Sequence, residues 1–241
     1  PGTPIFLVSN YTMGIARMYQ YSRLGDGLLP YGLPFGLPGT GPGLRGPMGM
    51  TVSAEGDIYI ANSMENNIAH WRILQTGQVV FIRHIGKRGS GDGEFIAPTD
   101  VAIDARGRRF GCEQNNNRIQ VLDGRGNYLW QFGTAGYTDD METEAEKFLL
   151  PVSICIENDF LFVNDLVNRA LKVFRIHENN VSFAAGTRRF GNLVTEGRLW
   201  MPFYIRIADG YLFVPDCTFN VVNIFRWVDS QTISQPQSAA A

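Results

Sequence analysis

The chain has 241 residues, 44% of them hydrophobic and 18% charged, with a formal net charge of -2. That composition supports a full globular core and argues against general disorder. The near-neutral balance gives no chain-wide signal for binding polyanions, and the cations are 18 Arg but only 3 Lys. In chain order, a partial unit comes first, IFLVSNYTMGIARMYQY from Ile5. Residues 27–44 follow, an uncharged stretch whose prolines and glycines forbid a spanning helix, so it reads as a loop. Within it, Leu28-Leu29-Pro30-Tyr31 can supply one edge strand.

Four fuller copies then align on anchor prolines. They open PMGMTVSAEGDIYIAN from Pro47, PTDVAIDARGRRFGCE from Pro98, PVSICIENDFLFVND from Pro151 and PFYIRIADGYLFVPD from Pro202. The prolines stand 51, 53 and 51 residues apart. After each proline, apolar residues alternate (Met50 and Val52, Val101 and Ile103, Ile154 and Ile156, Ile205 and Ile207), the period of a strand. A two-residue turn follows, then an aromatic and β-branched second strand. That strand ends on a short polar residue: Asn10, Asn62, Glu113, Asp165 or Asp216. Four positions later stand Gly14, Asn66, Asn117, Arg169 and Asn220, mostly types that accept a left-handed backbone. The polar residue is therefore predicted to cap the turn that the later one closes. Third and fourth strands complete most copies. Four short strands at a fixed period predict an all-β fold, a β-propeller whose blades cover one another's apolar faces.

The segment GDGEFIAPTDVAIDARGRRFGCEQNNNRIQVLDGRGNYLWQFG, from Gly91 to Gly133, resembles an NHL repeat. The resemblance is strong over residues 47–133 and weaker in the last two copies. It implies an NHL-like propeller of four-stranded blades, either five blades or an incomplete six-bladed ring. The expected layout is one propeller over 1–228, with blades at about 1–32 (partial), 47–86, 98–133, 151–186 and 202–228 (partial), and a polar tail over 229–241. Six units of 51 residues would need about 306 residues, more than are here. Because the chain opens in mid-repeat, at Pro1 rather than Met, further repeats upstream are expected.

The resemblance also brings enzymatic and nucleic-acid precedents. A histidine-bound metal at the axis requires equivalent histidines in several blades. His70, His84 and His177 fall at unlike offsets, so that reading is rejected. A calcium-dependent lactonase would need an axial ring of oxygen ligands, for which Asn62, Glu113, Asp165 and Asp216 are the alternative candidates. The same four are explained as turn caps, so no metal, cofactor or catalytic residue is assigned. Arg106, Arg108 and Arg109 crowd one turn and could contact a ligand or phosphate. An RNA-binding face is nonetheless disfavoured, because Asp139, Asp140, Glu142, Glu144 and Glu146 make an acidic loop. That loop suggests a short helix near METEAEKF. Four residues after the anchor prolines stand Thr51, Ala102, Cys155 and Arg206. Arg206, near the ring interior, needs a partner or a ligand, and Asp100 is the candidate across the axis.

The inter-blade segments 32–46, 134–150 and 187–201 are long and chemically unlike one another. Loops on a rigid scaffold carry recognition, and aromatic and Arg side chains suit protein contacts. Tyr31, Phe35, Arg188, Arg189, Phe190 and Trp200 are therefore the expected partner-binding residues. The expected function is a non-catalytic interaction or structural module. Its partner would be a protein, or neighbouring subunits of a larger assembly. Neither nucleic acid nor a membrane span is expected. The three cysteines fit no disulfide framework and are expected to be buried thiols. The compartment stays open, with an extracellular setting slightly favoured by the missing initiator Met.

Overall fold

A computed structural model describes residues 5–22, 27–37, 42–188, 202–218 and 220–227. Five antiparallel meanders follow one another along the chain. The first is β1 (Ile5–Asn10), β2 (Ile15–Tyr21) and β3 (Leu28–Phe35). The second is β4 (Pro47–Val52), β5 (Asp57–Asn62), β6 (Asn67–Ile73) and β7 (Val79–Ile85). The third is β8 (Pro98–Ile103), β9 (Arg109–Glu113), β10 (Arg118–Leu122) and β11 (Tyr128–Phe132). A two-stranded parallel pair, β12 (Thr134–Ala135) and β13 (Lys147–Phe148), bridges to the next sheet. The fourth is β14 (Pro151–Glu157), β15 (Phe160–Asp165), β16 (Ala170–Ile176) and β17 (Val181–Arg188). The fifth is β18 (Arg206–Ala208), β19 (Tyr211–Asp216) and β20 (Val221–Arg226). The fold is a five-blade β-propeller.

The innermost strands β1, β4, β8, β14 and β18 lie each beside the next, so the anchor prolines open successive blades at like points. Four apolar clusters fill the wedges between neighbours. Phe35, Ile58, Ile60 and Trp71 join the first sheet to the second. Tyr59, Ile68, Phe95 and Val101 join the second to the third. Phe110, Phe132, Phe148 and Phe174 join the third to the fourth. Phe162, Leu171, Leu212 and Val214 join the fourth to the fifth. Each blade thus hides period-two apolar faces against its neighbours, which is why the units do not fold as separate small sheets.

Three local expectations need correction. The third strand of the first blade runs past the expected Leu28-Leu29-Pro30-Tyr31 to Phe35, so more of the Pro/Gly-rich segment is strand than expected. METEAEKF forms turns and strand, not a helix. Asp140 Oδ1 accepts from the Glu142 and Thr143 amides at 2.9 and 3.3 Å, and β13 then pairs with β12. Cys112 and Cys155 are buried, but Cys217 is exposed.

Candidate functional site

The polar residue that ends each second strand reaches back to the segment before the anchor proline. Asn62 Oδ1 accepts from the Arg45 amide at 2.6 Å, Glu113 Oε2 from Ile96 at 3.0 Å and Asp165 Oδ1 from Leu149 at 2.8 Å. The donor lies two residues before the proline in all three. The left-handed corner residue completes the staple across the wedge. Asn66 Oδ1 accepts from Ala97 at 3.0 Å and Asn117 Oδ1 from Leu150 at 2.9 Å, so the second and third blades each grip the residue just before the proline that opens the next. Both corners have positive φ, 56° and 52°. In the first and last blades Asn10 and Asp216 take local amides, Met13 and Thr218.

The cap position also gathers buried countercharges. Arg118 Nε donates to Glu113 Oε1 at 2.7 Å, and Lys172 Nζ donates to Asp165 Oδ2 at 2.9 Å. Burial pushes both carboxyls upward against the pull of their cations. These residues are structural staples, and among the described residues no group of three or more His, Cys, Asp or Glu is placed to hold a metal ion. Asn62, Glu113, Asp165 and Asp216, the alternative axial ligands, are each engaged with a backbone amide.

The arginine cluster is corrected. Arg108 is buried: its Nε donates to Asp104 Oδ2 at 2.7 Å and its Nη1 to the His177 carbonyl at 2.9 Å. Arg109 is buried too, over the Tyr59 ring at 4.6 Å and bonded to its hydroxyl. Only Arg106 is exposed, so the turn presents a single guanidinium rather than a cluster. Gly111, odd in a second strand, is explained by packing, since a β-carbon there would sit 3.0 Å from the Phe95 ring.

The first strands converge on an axial cavity of about 680 Å³. Thr51, Ala102, Cys155 and Arg206, all four residues after an anchor proline, line it together. Arg206 Nη1 donates to Asp100 Oδ2 at 2.9 Å, making the pair expected from the sequence. Asp100 is fully buried and also accepts from Ser153 Oγ at 2.6 Å and from the Ile154 amide at 3.1 Å. Ser153 Oγ in turn accepts from the Ile205 amide at 3.1 Å, so the inner strands of three blades are stitched at one level. Gly49, in the same column of the second blade, makes room: a β-carbon there would lie 1.9 Å from Asp100 Oδ1. Ser153 and Tyr204 escaped the sequence reading, although the column two residues after the prolines (Gly49, Asp100, Ser153, Tyr204) carried the signal. Burial raises the Tyr204 hydroxyl and, strongly, the Cys155 thiol, so both stay protonated at neutral pH.

Of the expected partner-binding residues, Tyr31 is half-buried on β3. Phe35 is corrected: it is buried at the end of β3, its ring 5.1 Å from that of Trp71. Arg189, Phe190 and Trp200 lie outside the described residues, as does the Arg188 side chain. An exposed apolar surface lies elsewhere, on the fifth sheet. Tyr211, Phe213, Val222 and Ile224 share one face in register, with exposures from 36% to 59%. Leu212 and Val214 on its other face are buried. The first sheet also exposes Phe6 and Val8.

No family model matches the chain. Over 44 residues it is 47% identical to protein lin-41 of Caenorhabditis elegans, covering 18% of this chain and 4% of that protein. Over 110 residues it is 30% identical to mouse NHL repeat-containing protein 3, covering 43% of this chain and 30% of that one. The chain thus spans well under two thirds of these relatives. Among solved structures, a candidate 6-phosphogluconolactonase from Bacteroides uniformis superposes with TM-score 0.62 at 15% identity, over 94% of this chain and 64% of that one. A chain of the nidogen–laminin complex superposes with TM-score 0.55 at 16% identity, over 98% and 92%. At these identities the solved structures speak only to the fold, and similar propellers include a candidate enzyme. The chain is thus a five-blade β-propeller whose repeats are similar to those of NHL repeat-containing proteins.

Proposed function

We propose that this propeller is a non-catalytic interaction module that binds a protein partner. The observation that carries the reading is the fifth sheet's outer face. Its β19 and β20 side chains offer two aromatic and two aliphatic residues in one aligned patch. Exposed apolar patches of this kind mark contact surfaces in soluble proteins. In the second, third and fourth sheets, faces of similar composition are covered by a neighbouring sheet. The fitting partner is therefore a protein, or a neighbouring subunit, that presents an apolar sheet face of its own. The segment 187–201, with Arg188, Arg189, Phe190 and Trp200, adjoins the fifth blade in sequence and would extend the contact. Tyr31 belongs to the opposite end of the chain and is a secondary candidate. The fold also serves in a protein–protein complex, the nidogen–laminin assembly, which supports the reading by analogy.

The test pairs binding with stability. Proteins cross-linked to the native propeller are identified, remade and titrated against it. Replacing Phe213 and Ile224 by Ser should weaken binding about tenfold or more while the Tm moves little, because neither side chain is buried. Trp200→Ala should weaken it less. Unchanged affinity in both variants, or calcium-dependent hydrolysis of lactones by the native protein, would contradict the proposal.

A further inference from the structure

The axial cavity carries an inference independent of the partner surface. Of the side chains that line it among the described residues, Arg206 is the single charged one. The Arg206 side chain is 47% exposed, whereas the carboxylate that orients it is fully buried behind the wall. Asp100 already receives Ser153 Oγ and the Val101 and Ile154 amides, so its charge is spread over donors inside the wall. Arg206 Nη1 donates to Asp100, to the Ile205 carbonyl at 2.7 Å and to Ser153 Oγ at 3.4 Å, Nη2 donates to Asp100 Oδ1 at 3.3 Å, and no acceptor among the described residues takes its Nε. The fork is thus pre-oriented by one edge and free to donate from the other.

The remaining lining is apolar or weakly polar. Met50, Val52, Ile103, Ile156 and Ile207 offer aliphatic walls. The Thr51 and Tyr204 hydroxyls supply neutral polar groups in the same space. A volume of about 680 Å³ falls in the range of small-molecule sites. Asp100 already offsets much of the Arg206 charge from behind the wall, so the edge left open suits at most one carboxylate; a phosphate dianion would leave charge uncompensated, and an ammonium would meet only donors there.

We propose that the axial cavity binds a small monocarboxylate with an apolar body, its carboxylate on Arg206 and its hydrocarbon along the aliphatic walls. Octanoate is a suitable probe, with octanol and octylamine as controls. Titration of the native protein, followed by amide chemical shifts, should give saturable changes at Thr51, Ala102, Cys155 and Arg206. Octanol should bind about tenfold or more weakly, and octylamine should not saturate. Arg206→Lys keeps the charge but loses the fork and should weaken octanoate severalfold. Arg206→Met should abolish the preference for octanoate over octanol. If Arg206→Met fails to fold because Asp100 loses its cation, Thr51→Trp decides, since it fills the cavity and leaves the ion pair intact. Octanoate that binds no better than octanol, or that binds Thr51→Trp as it binds the native protein, would overturn the proposal.

Discussion

The fourth blade and the fifth blade are built from the same repeat, yet they solve different problems. In the fourth, both sheet faces are covered. Phe174 sits among Phe132, Phe148 and Phe183 with ring centroids 5.2 to 6.0 Å apart, and Lys172 lies fully buried beside Asp165. In the fifth, one face is as buried as any in the molecule and the other leaves Tyr211, Phe213, Val222 and Ile224 in solvent. Sequence alternation is alike in the two blades, so period two alone does not say which faces are covered. Coverage comes from having a neighbour on each side, and it decides whether an apolar residue stabilises the fold or is available for recognition.

Mutations can break or sharpen this contrast. Phe174→Ala should lose about 3–5 kcal/mol, the transfer and cavity penalty of a buried ring, whereas Ile224→Ala should change stability by less than about 0.5 kcal/mol. Urea unfolding measures both, and equal losses would erase the distinction. Lys172→Met should cost about 3–5 kcal/mol by stranding a buried carboxylate. Adding Asp165→Asn should recover much of it, and a double mutant as unstable as the single would show that the staple to Leu149 outweighs the charge. Asn117→Ala frees the Leu150 amide across the third wedge and should cost about 1–3 kcal/mol.

The smallest effect is in pH. Asp57 is held below its usual range first by the Arg72 guanidinium and then by His70, at 2.7 and 2.8 Å. His70 is lowered from 6.5 by burial, although Asp57 pulls the other way. A lowered histidine binds fewer protons folded than unfolded, so stability falls as pH drops below about 6.5. A lowered carboxylate contributes above its unfolded value, 3.8, and that contribution is lost as pH falls through the lower folded value. Both signs predict acid sensitivity. His70→Gln should flatten the upper part of a stability–pH profile and Asp57→Asn the lower part; profiles unchanged by either replacement would rule out this pair as the cause.

Much of the fold was legible because its signals repeat. The anchor prolines, the alternating first strands and the polar residue closing each second strand recur at offsets that differ by only a residue or two, and chance does not produce that four times. The Arg206–Asp100 pair was legible for another reason: a long cation near the ring interior needs a countercharge. Arg108 and Arg109 were misread because a basic turn looks solvated in one dimension. What buries them, Asp104 beneath one and the Tyr59 ring of the second blade beneath the other, is partly remote in sequence. Phe35 was misread because Pro34 and Gly36 interrupt the alternation that marks strands, while β2 pairs with it regardless. The inter-blade staples from Asn66 and Asn117 were half visible. The left-handed corners could be read, but their acceptors serve amides 31 and 33 residues onward, which local pattern does not reveal.

Residue-resolved hydrogen exchange tests the interlocking of blades most directly. The amides of Ala97 and Leu150 lie just outside the strands, before the anchor prolines, where a loop would exchange quickly. The account predicts that both are protected in the native protein, and that Asn66→Ala releases Ala97 while leaving Leu150 slow. Exchange of both amides at free-peptide rates in the native protein would contradict it.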